Sequence, residues 1–328
     1  MGDRTGIEWT DATWNPIRGC TRVSEGCRNC YAEVMASRFC GPGQPYEGVA
    51  KDGRWTGEIR VVEKALEQPM RWKRPRRIFV NSMSDLFHEG VSDEVIIKVL
   101  NVAIQCPQHV FQVLTKRPER MAGVLQSCSN EVFGKCLSGE PTVSDWPIPN
   151  LWLGVSVENQ ATADERIPLL MQTPAAVRWL SMEPLLGGVD IARWLRCGLC
   201  GSNEQHGNEK ASGCWHDSRY WARHRLIDWV VLGGESGPGS RPMHPDWARS
   251  IRDQCAEAGV AFLFKQWGDW TPAGHPMQPE HLDESRIWSA DPDCTMVRLG
   301  KKATGRILDG WTHDEYPGEK PAVAGGEG

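Results

Sequence analysis

Six short, continuously apolar, β-rich runs limit what this chain can fold into. They are Ile78–Asn81, Val110–Leu114, Leu151–Ser156 (LWLGVS), Val177–Ser181 (VRWLS), Trp229–Leu232 (WVVL) and Val260–Phe264 (VAFLF). A strand with one wet face alternates apolar and polar residues, whereas a strand covered on both faces does not. Helical segments stand between the runs. Asp93–Gln105 has Ser92 as its N-cap and Pro107 past its end, Pro118–Leu125 and Ala161–Met171 follow, and His244–Gly259 stops at a glycine. Strand alternating with helix predicts a parallel sheet with right-handed crossovers. With an N-terminal strand near Thr13–Arg18, the expected fold is α/β, a full or partial β/α (TIM-like) barrel. An open doubly wound sheet is the alternative. The barrel is expected over residues 1–269, with a Cys-rich insertion at 187–228. An irregular extension over 270–328 is expected to end in disorder at PGEKPAVAGGEG.

In either architecture, functional groups gather beyond the carboxyl ends of the strands. Each run here is followed by polar or small residues: Asn81-Ser82-Met83-Ser84-Asp85, Thr115-Lys116-Arg117, Ser156-Val157-Glu158-Asn159, Ser181-Met182-Glu183-Pro184, Gly233-Gly234-Glu235-Ser236 and Lys265-Gln266-Trp267-Gly268. One polar strand end means only contact with water. Six of them predict a polar mouth.

The chain has 12 cysteines, unevenly placed. Cys40, Cys106, Cys128, Cys136, Cys255 and Cys294 are scattered and read as small core residues. Cys20, Cys27 and Cys30 form a C-x6-C-x2-C cluster, with glycines before the first two. Glycine lets backbone turn tightly around an inorganic cluster, and thiolates are the ligands such clusters need. Three ligands leave one iron of a 4Fe–4S cluster open to chelate the amino and carboxylate groups of S-adenosylmethionine. Reduction then cleaves the sulfonium and gives a 5′-deoxyadenosyl radical, a chemistry that belongs to the cofactor and needs an electron donor. A zinc knuckle would use the same thiols, but no fourth Cys or His stands nearby, the nearest histidine being His88.

The run IEWTDATWNPIRGCTRVSEGCRNCYAE resembles the signature of a phage- and prophage-associated family of three-Cys-motif proteins, long a domain of unknown function. SVENQ, SMEPLLGGV, GGESGPGSRPM, FKQWG and GKKATGRILDGWTHDEYP resemble that family too, so the likeness spans roughly residues 6–317. It implies a barrel like that of radical S-adenosylmethionine enzymes, with Cys20, Cys27 and Cys30 as cluster ligands. The usual spacing in those enzymes is C-x3-C-x2-C, so the longer first gap is a departure. The resemblance further implies that Asn81, Ser82 and Ser84 meet the cofactor amino group and that Ser156, Glu158 and Asn159 meet its ribose. Glu183 and Glu235 would serve cofactor or substrate. The usual Gly-Gly-Glu does not follow the second strand here, and Gly233-Gly234-Glu235 follows a later one.

A second cluster, Cys197, Cys200, Cys214 and His216, has the spacing of a structural zinc site, with His206 as an alternative fourth ligand. Two basic stretches, RWKRPRR (71–77) and RYWARHR (219–225), interleave charge with aromatic rings, as a nucleic-acid face would. Against this, the chain has a net charge of −5 and the stretches are short. Its 16 tryptophans serve either stacking or packing. Lys116 and Arg117 suit an anion inside the mouth.

No apolar run is long enough to span a membrane and no signal peptide is evident, so a cytoplasmic location is expected. Two functions compete. One is a radical S-adenosylmethionine enzyme acting on a nucleotide or nucleic-acid base. The other is a non-catalytic nucleic-acid-binding or protein-partner module with structural metals. A zinc hydrolase lacks its H-E-x-x-H or a similar ligand pairing.

Overall fold

The structure is a computed structural model that describes residues 5–127, 147–196, 227–274, 278, 281 and 283–318. Seven parallel strands form one sheet: β1 (Ala12–Trp14), β2 (Arg77–Val80), β3 (Val110–Thr115), β4 (Leu151–Ser156), β5 (Val177–Met182), β6 (Trp229–Gly233) and β7 (Ala261–Gln266). Their spatial order is their sequence order. A doubly wound sheet must reverse direction at a switch point. This one never does, and it curls into a half-barrel, the partial form of the expected β/α barrel.

The curl is measurable through one side chain. The Trp9 ring lies 4.6 Å from Phe79 on β2 and 5.1 Å from Trp179 on β5. In a flat sheet those strands, three spacings apart, would be separated by about 14 Å. Trp9, Phe79, Trp179, Trp229, Val231 and Leu263 therefore form the concave floor. Gly154 on β4 lies flat under Trp179, and a Cβ there would sit 2.5 Å from the indole. The convex face carries Ile78, Val80, Phe111, Val113, Leu153, Val155, Leu180, Val230, Leu232, Phe262 and Phe264, packed against the helices. These include α2 (Asp93–Gln105), α3 (Pro118–Ser127), α4 (Gln160–Gln172) and α5 (Pro245–Ala258), whereas α1 (Tyr31–Ser37) buries Ala36 in a separate small cluster with Tyr46, Val49 and Ala50.

Three expectations need adjustment. The N-terminal strand near Thr13–Arg18 is broken: Ala12–Trp14 joins the main sheet, while Ile17–Arg18 pairs separately with Arg60–Val61. Pro16 lies at the break and has no N–H with which to continue a ladder. The extension after 269 is not wholly irregular. Trp270–Pro272, Ile287–Asp291 and Cys294–Arg298 form a three-stranded sheet, with Cys294–Arg298 in the middle. Further on, Trp229 donates its indole N–H to the Glu315 carbonyl at 2.8 Å, so the late chain straps the base of the half-barrel. Finally, Trp72 of the first basic stretch is buried, with Arg76 over its ring, and is not available to stack on a base. The second stretch lies outside the described residues. Among the described residues, no helix is long and apolar enough to cross a membrane.

Candidate functional site

The carboxyl ends of the strands open into a cavity of about 430 Å³. Cys20, Cys27 and Cys30 all line it and all are free thiols. They belong to a loop that leaves β1, crosses the mouth and runs into α1. Gly19 starts the crossing with φ +96°, and a Cβ there would lie 2.1 Å from the Glu58 carbonyl, so glycine is required.

Polar groups after four different strands pin this loop. After β3, Arg117 donates to the Thr21 hydroxyl (2.7 Å) and approaches Cys20 Sγ (3.8 Å), while Asp85 and Glu89 hold its guanidinium. After β4, Glu158 accepts from Ser24 at 3.0 Å. After β6, Glu235 accepts from Asn29 at 2.9 Å, and Arg241 donates to the Glu25 carbonyl at 2.9 Å. After β2, the Ser82 carbonyl accepts from the Tyr31 hydroxyl. Much of the polar mouth is thus occupied in holding the cysteines.

Glu158 is the most committed of these groups. Its side chain is 1 % exposed and bridges Lys116 (2.7 Å) and Arg166 (3.1 Å). Burial alone would raise its carboxyl pKa, but the two cations outweigh that and hold it below the ordinary value. Burial likewise works against ionised Glu235, and hydrogen bonds from Arg241 and Asn29 reverse the balance. Burial, aided by Asp85, pushes the Cys20 thiol up to about 12, and burial also raises Cys30. Burial therefore holds Cys20 and Cys30 neutral, and a bound cation would have to supply the compensation that deprotonates these two.

Of the residues singled out from sequence, Asn81, Ser82, Ser84, Ser156, Glu183 and Glu235 line the cavity with the cysteines, whereas Glu158 and Asn159 do not. Asn159 caps α4, accepting from the Thr162 backbone at 3.0 Å. Ser82 and Ser84 already donate their hydroxyls, to Asn15 Oδ1 and the Ile17 carbonyl. Asn81 differs: it is 2 % exposed, has φ +58°, and neither polar atom of its side chain has a partner. A buried amide held in left-handed backbone with nothing bonded to it is a group waiting for a ligand. Cys197, Cys200, His206, Cys214 and His216 lie outside the described residues.

Lys265 and Gln266, at the end of β7, also line the cavity, although no individual role is legible for them in the sequence. Both bond to Glu183, Lys265 Nζ at 2.8 Å from each oxygen and Gln266 Nε2 at 2.9 Å.

The donor set fits a sulfur-ligated cluster. Three free thiols line one cavity, Cys30 is in electrostatic reach of both Cys20 and Cys27, and an unpartnered amide lines the same space. Among the described residues, no three His, Cys, Asp or Glu side chains converge tightly enough for a single metal ion.

Fold and site together define a partial β/α-barrel protein with a cysteine-lined mouth. The chain belongs to the family described as "Protein of unknown function (DUF5131)", whose model matches residues 4–317. No curated protein matches it in sequence. Among solved structures, spore photoproduct lyase complexed with dinucleoside spore photoproduct is similar at TM-score 0.39 and 10 % identity, covering 91 % of this chain and 71 % of that one. A variant of that lyase with bound AdoMet and the same dinucleoside gives TM-score 0.38 and 11 % identity, covering 88 % and 68 %. A likeness this distant transfers no residue role.

Proposed function

We propose that this chain is an iron–sulfur enzyme of the radical S-adenosylmethionine type that modifies or repairs a nucleotide or nucleic-acid base. One observation carries the reading: three free cysteines and the unpartnered, buried Asn81 line a single cavity at the carboxyl ends of the strands. Cys20, Cys27 and Cys30 would hold a 4Fe–4S cluster, and three thiolates leave its fourth iron without a cysteine. The chemistry supplied by such a cluster together with S-adenosylmethionine is one-electron cleavage of the sulfonium.

The protein's own groups orient and enclose. Asn81 offers both a donor and an acceptor to a cofactor's amino and carboxylate groups. Glu158 and Glu235 hold the cysteine loop in register with the strand ends. Trp9, Phe79 and Leu114 give the cavity an apolar floor, suited to the face of a planar base.

The test is anaerobic. Reconstituted protein, incubated with dithionite and S-adenosylmethionine, is expected to release 5′-deoxyadenosine, and Cys27→Ser is expected to release none. An intact cluster that never cleaves the cofactor would overturn the reading in favour of a structural metal site.

A further inference from the structure

The end of β7 holds a feature that the proposed function leaves unused. Strand β7 pairs with β6 in regular register through Leu232 and Phe264, and then Gly233 faces Gln266, one residue late. This bulge opposes two residues of one strand to one of its neighbour. Its consequence is that Lys265 and Gln266, consecutive in sequence, both line the cavity instead of pointing to opposite faces. The turn above is fixed by two interlocked glycines. A Cβ on Gly234 would lie 1.9 Å from the Trp267 carbonyl, and one on Gly268 would lie 2.1 Å from the Glu235 carbonyl.

Glu183 sets the hydrogen-bonding polarity of the pair. Gln266 Nε2 donates to Glu183, and flipping the amide would set its oxygen against a carboxylate, so the orientation is determined. Gln266 Oε1 is left without a partner in a residue that is 5 % exposed. Lys265 Nζ donates to the two Glu183 oxygens, and an ammonium has three N–H groups, so one remains. The cavity wall therefore presents one N–H donor beside one carbonyl acceptor, both held by the same carboxylate. Nearby Ser236 also lines the cavity, with its Oγ buried and unpartnered.

We infer that Lys265 and Gln266, brought to one face by the β7 bulge and oriented by Glu183, read the pairing edge of an unpaired nucleobase. The inference rests on the nucleobase reading above and narrows it. A ligand that satisfies this wall carries an acceptor next to an N–H donor in one plane. That pair occurs on the Watson–Crick edge of each nucleobase, and in a duplex those atoms are taken by the opposite base. The substrate is thus a free nucleotide, a single strand, or a base turned out of its helix. A site built to hydrogen-bond a ligand rejects one that cannot reciprocate, because its own buried groups are then left unpaired.

The experiment is calorimetric titration of the full-length, cluster-loaded protein with the four nucleosides and with their counterparts N-methylated on the pairing edge. A single-stranded oligonucleotide and the same strand annealed to its complement complete the set. At least one nucleoside is expected to bind, with methylation weakening it about tenfold or more, which is about 1.4 kcal/mol. The single strand is expected to bind and the duplex to fail, and Lys265→Met and Gln266→Leu, checked for an unchanged melting temperature, are expected to reproduce the loss. The methylated ligands need no variant, so a misfolded mutant leaves the result intact. Equal binding of methylated bases or of the duplex overturns the inference and spares the nucleobase reading. Binding of a simple lactam such as 2-pyridone, lost in both variants while no nucleoside binds, overturns the nucleobase reading and keeps the donor–acceptor wall. Binding of neither class overturns both.

Discussion

Removing the Glu158 carboxylate tests whether this residue braces the cysteine loop or serves a ligand. Glu158→Ala strands two cations of unequal burial. Lys116 is 19 % exposed and can turn to water, so its loss costs little. Arg166 is 3 % exposed and keeps only the Ser156 carbonyl at 2.9 Å. Breaking a buried ion pair by removing one partner costs about 3–5 kcal/mol. At an unfolding entropy of about 2.1 cal/mol/K per residue, a chain of 328 residues shifts by roughly 1.5 °C per kcal/mol, so the melting temperature should fall by about 4–7 °C. Differential scanning fluorimetry measures the fall, and the double variant Glu158→Ala/Arg166→Met separates its cause. With the stranded cation gone, a large part of the loss should return, giving a coupling of at least about 1 kcal/mol. Iron content after reconstitution should drop in the single variant, because Ser24 loses its anchor next to Cys27. A melting temperature within 1 °C of wild type, by the same conversion under about 1 kcal/mol, would refute the bracing role and return Glu158 to the ribose.

Other outcomes follow from the same geometry. Gly19→Ala must place a Cβ in the Glu58 carbonyl at φ +96°, and is expected to destabilise the chain by about 2 kcal/mol or more, measured by urea denaturation. Gly154→Ala, with a Cβ 2.5 Å from the Trp179 ring, should cost about 1–3 kcal/mol and lower the near-ultraviolet circular dichroism of the tryptophan floor. Hydrogen bonds from Arg249, with Arg252 also contributing, hold the Asp309 carboxyl below its ordinary value of 3.8. A depressed carboxyl contributes fully above that ordinary value, and the contribution fades as pH falls through the lower folded one, so it is lost below about pH 4. Asp309 is 34 % exposed, which limits the effect. Asp309→Asn should lower stability at pH 7 by about 1 kcal/mol or less and flatten the acid limb of a stability–pH curve.

How far the sequence reached depends on the kind of signal. The strands were legible because both faces are buried, so each run is short and continuously apolar. Asp93–Gln105 matches its helix residue for residue because Ser92 and Pro107 bracket it. The same unbroken apolarity concealed which residues face the concave side. Nothing local marks Trp179 as floor and Leu180 as convex core, and Trp9 reaches the floor from outside any strand. The cysteine wall and Asn81 were readable from motif and position. Glu158 and Asn159 were read as cofactor contacts, yet the structure commits one to a buried ion network and the other to a helix cap. Arg166 lies nearly two turns into α4 and leaves no trace at the strand end itself, whereas Asn159, directly before α4, carries an N-cap signal that the cofactor reading passed over. The bulge that turns Lys265 and Gln266 to one side is equally silent, since FKQWG reads as the end of a regular strand. Pro16 did carry a signal, the missing N–H that ends the first strand.

The central claim is that Cys20, Cys27 and Cys30 hold a polynuclear iron–sulfur cluster. Iron and acid-labile sulfide, quantified per chain in protein purified without oxygen and then reconstituted, test it most directly. The account predicts about four of each, lost in Cys20→Ser, Cys27→Ser or Cys30→Ser while the far-ultraviolet circular dichroism stays that of the folded chain. Folded protein that takes up no iron, or that keeps its full complement after any one of those substitutions, would contradict it.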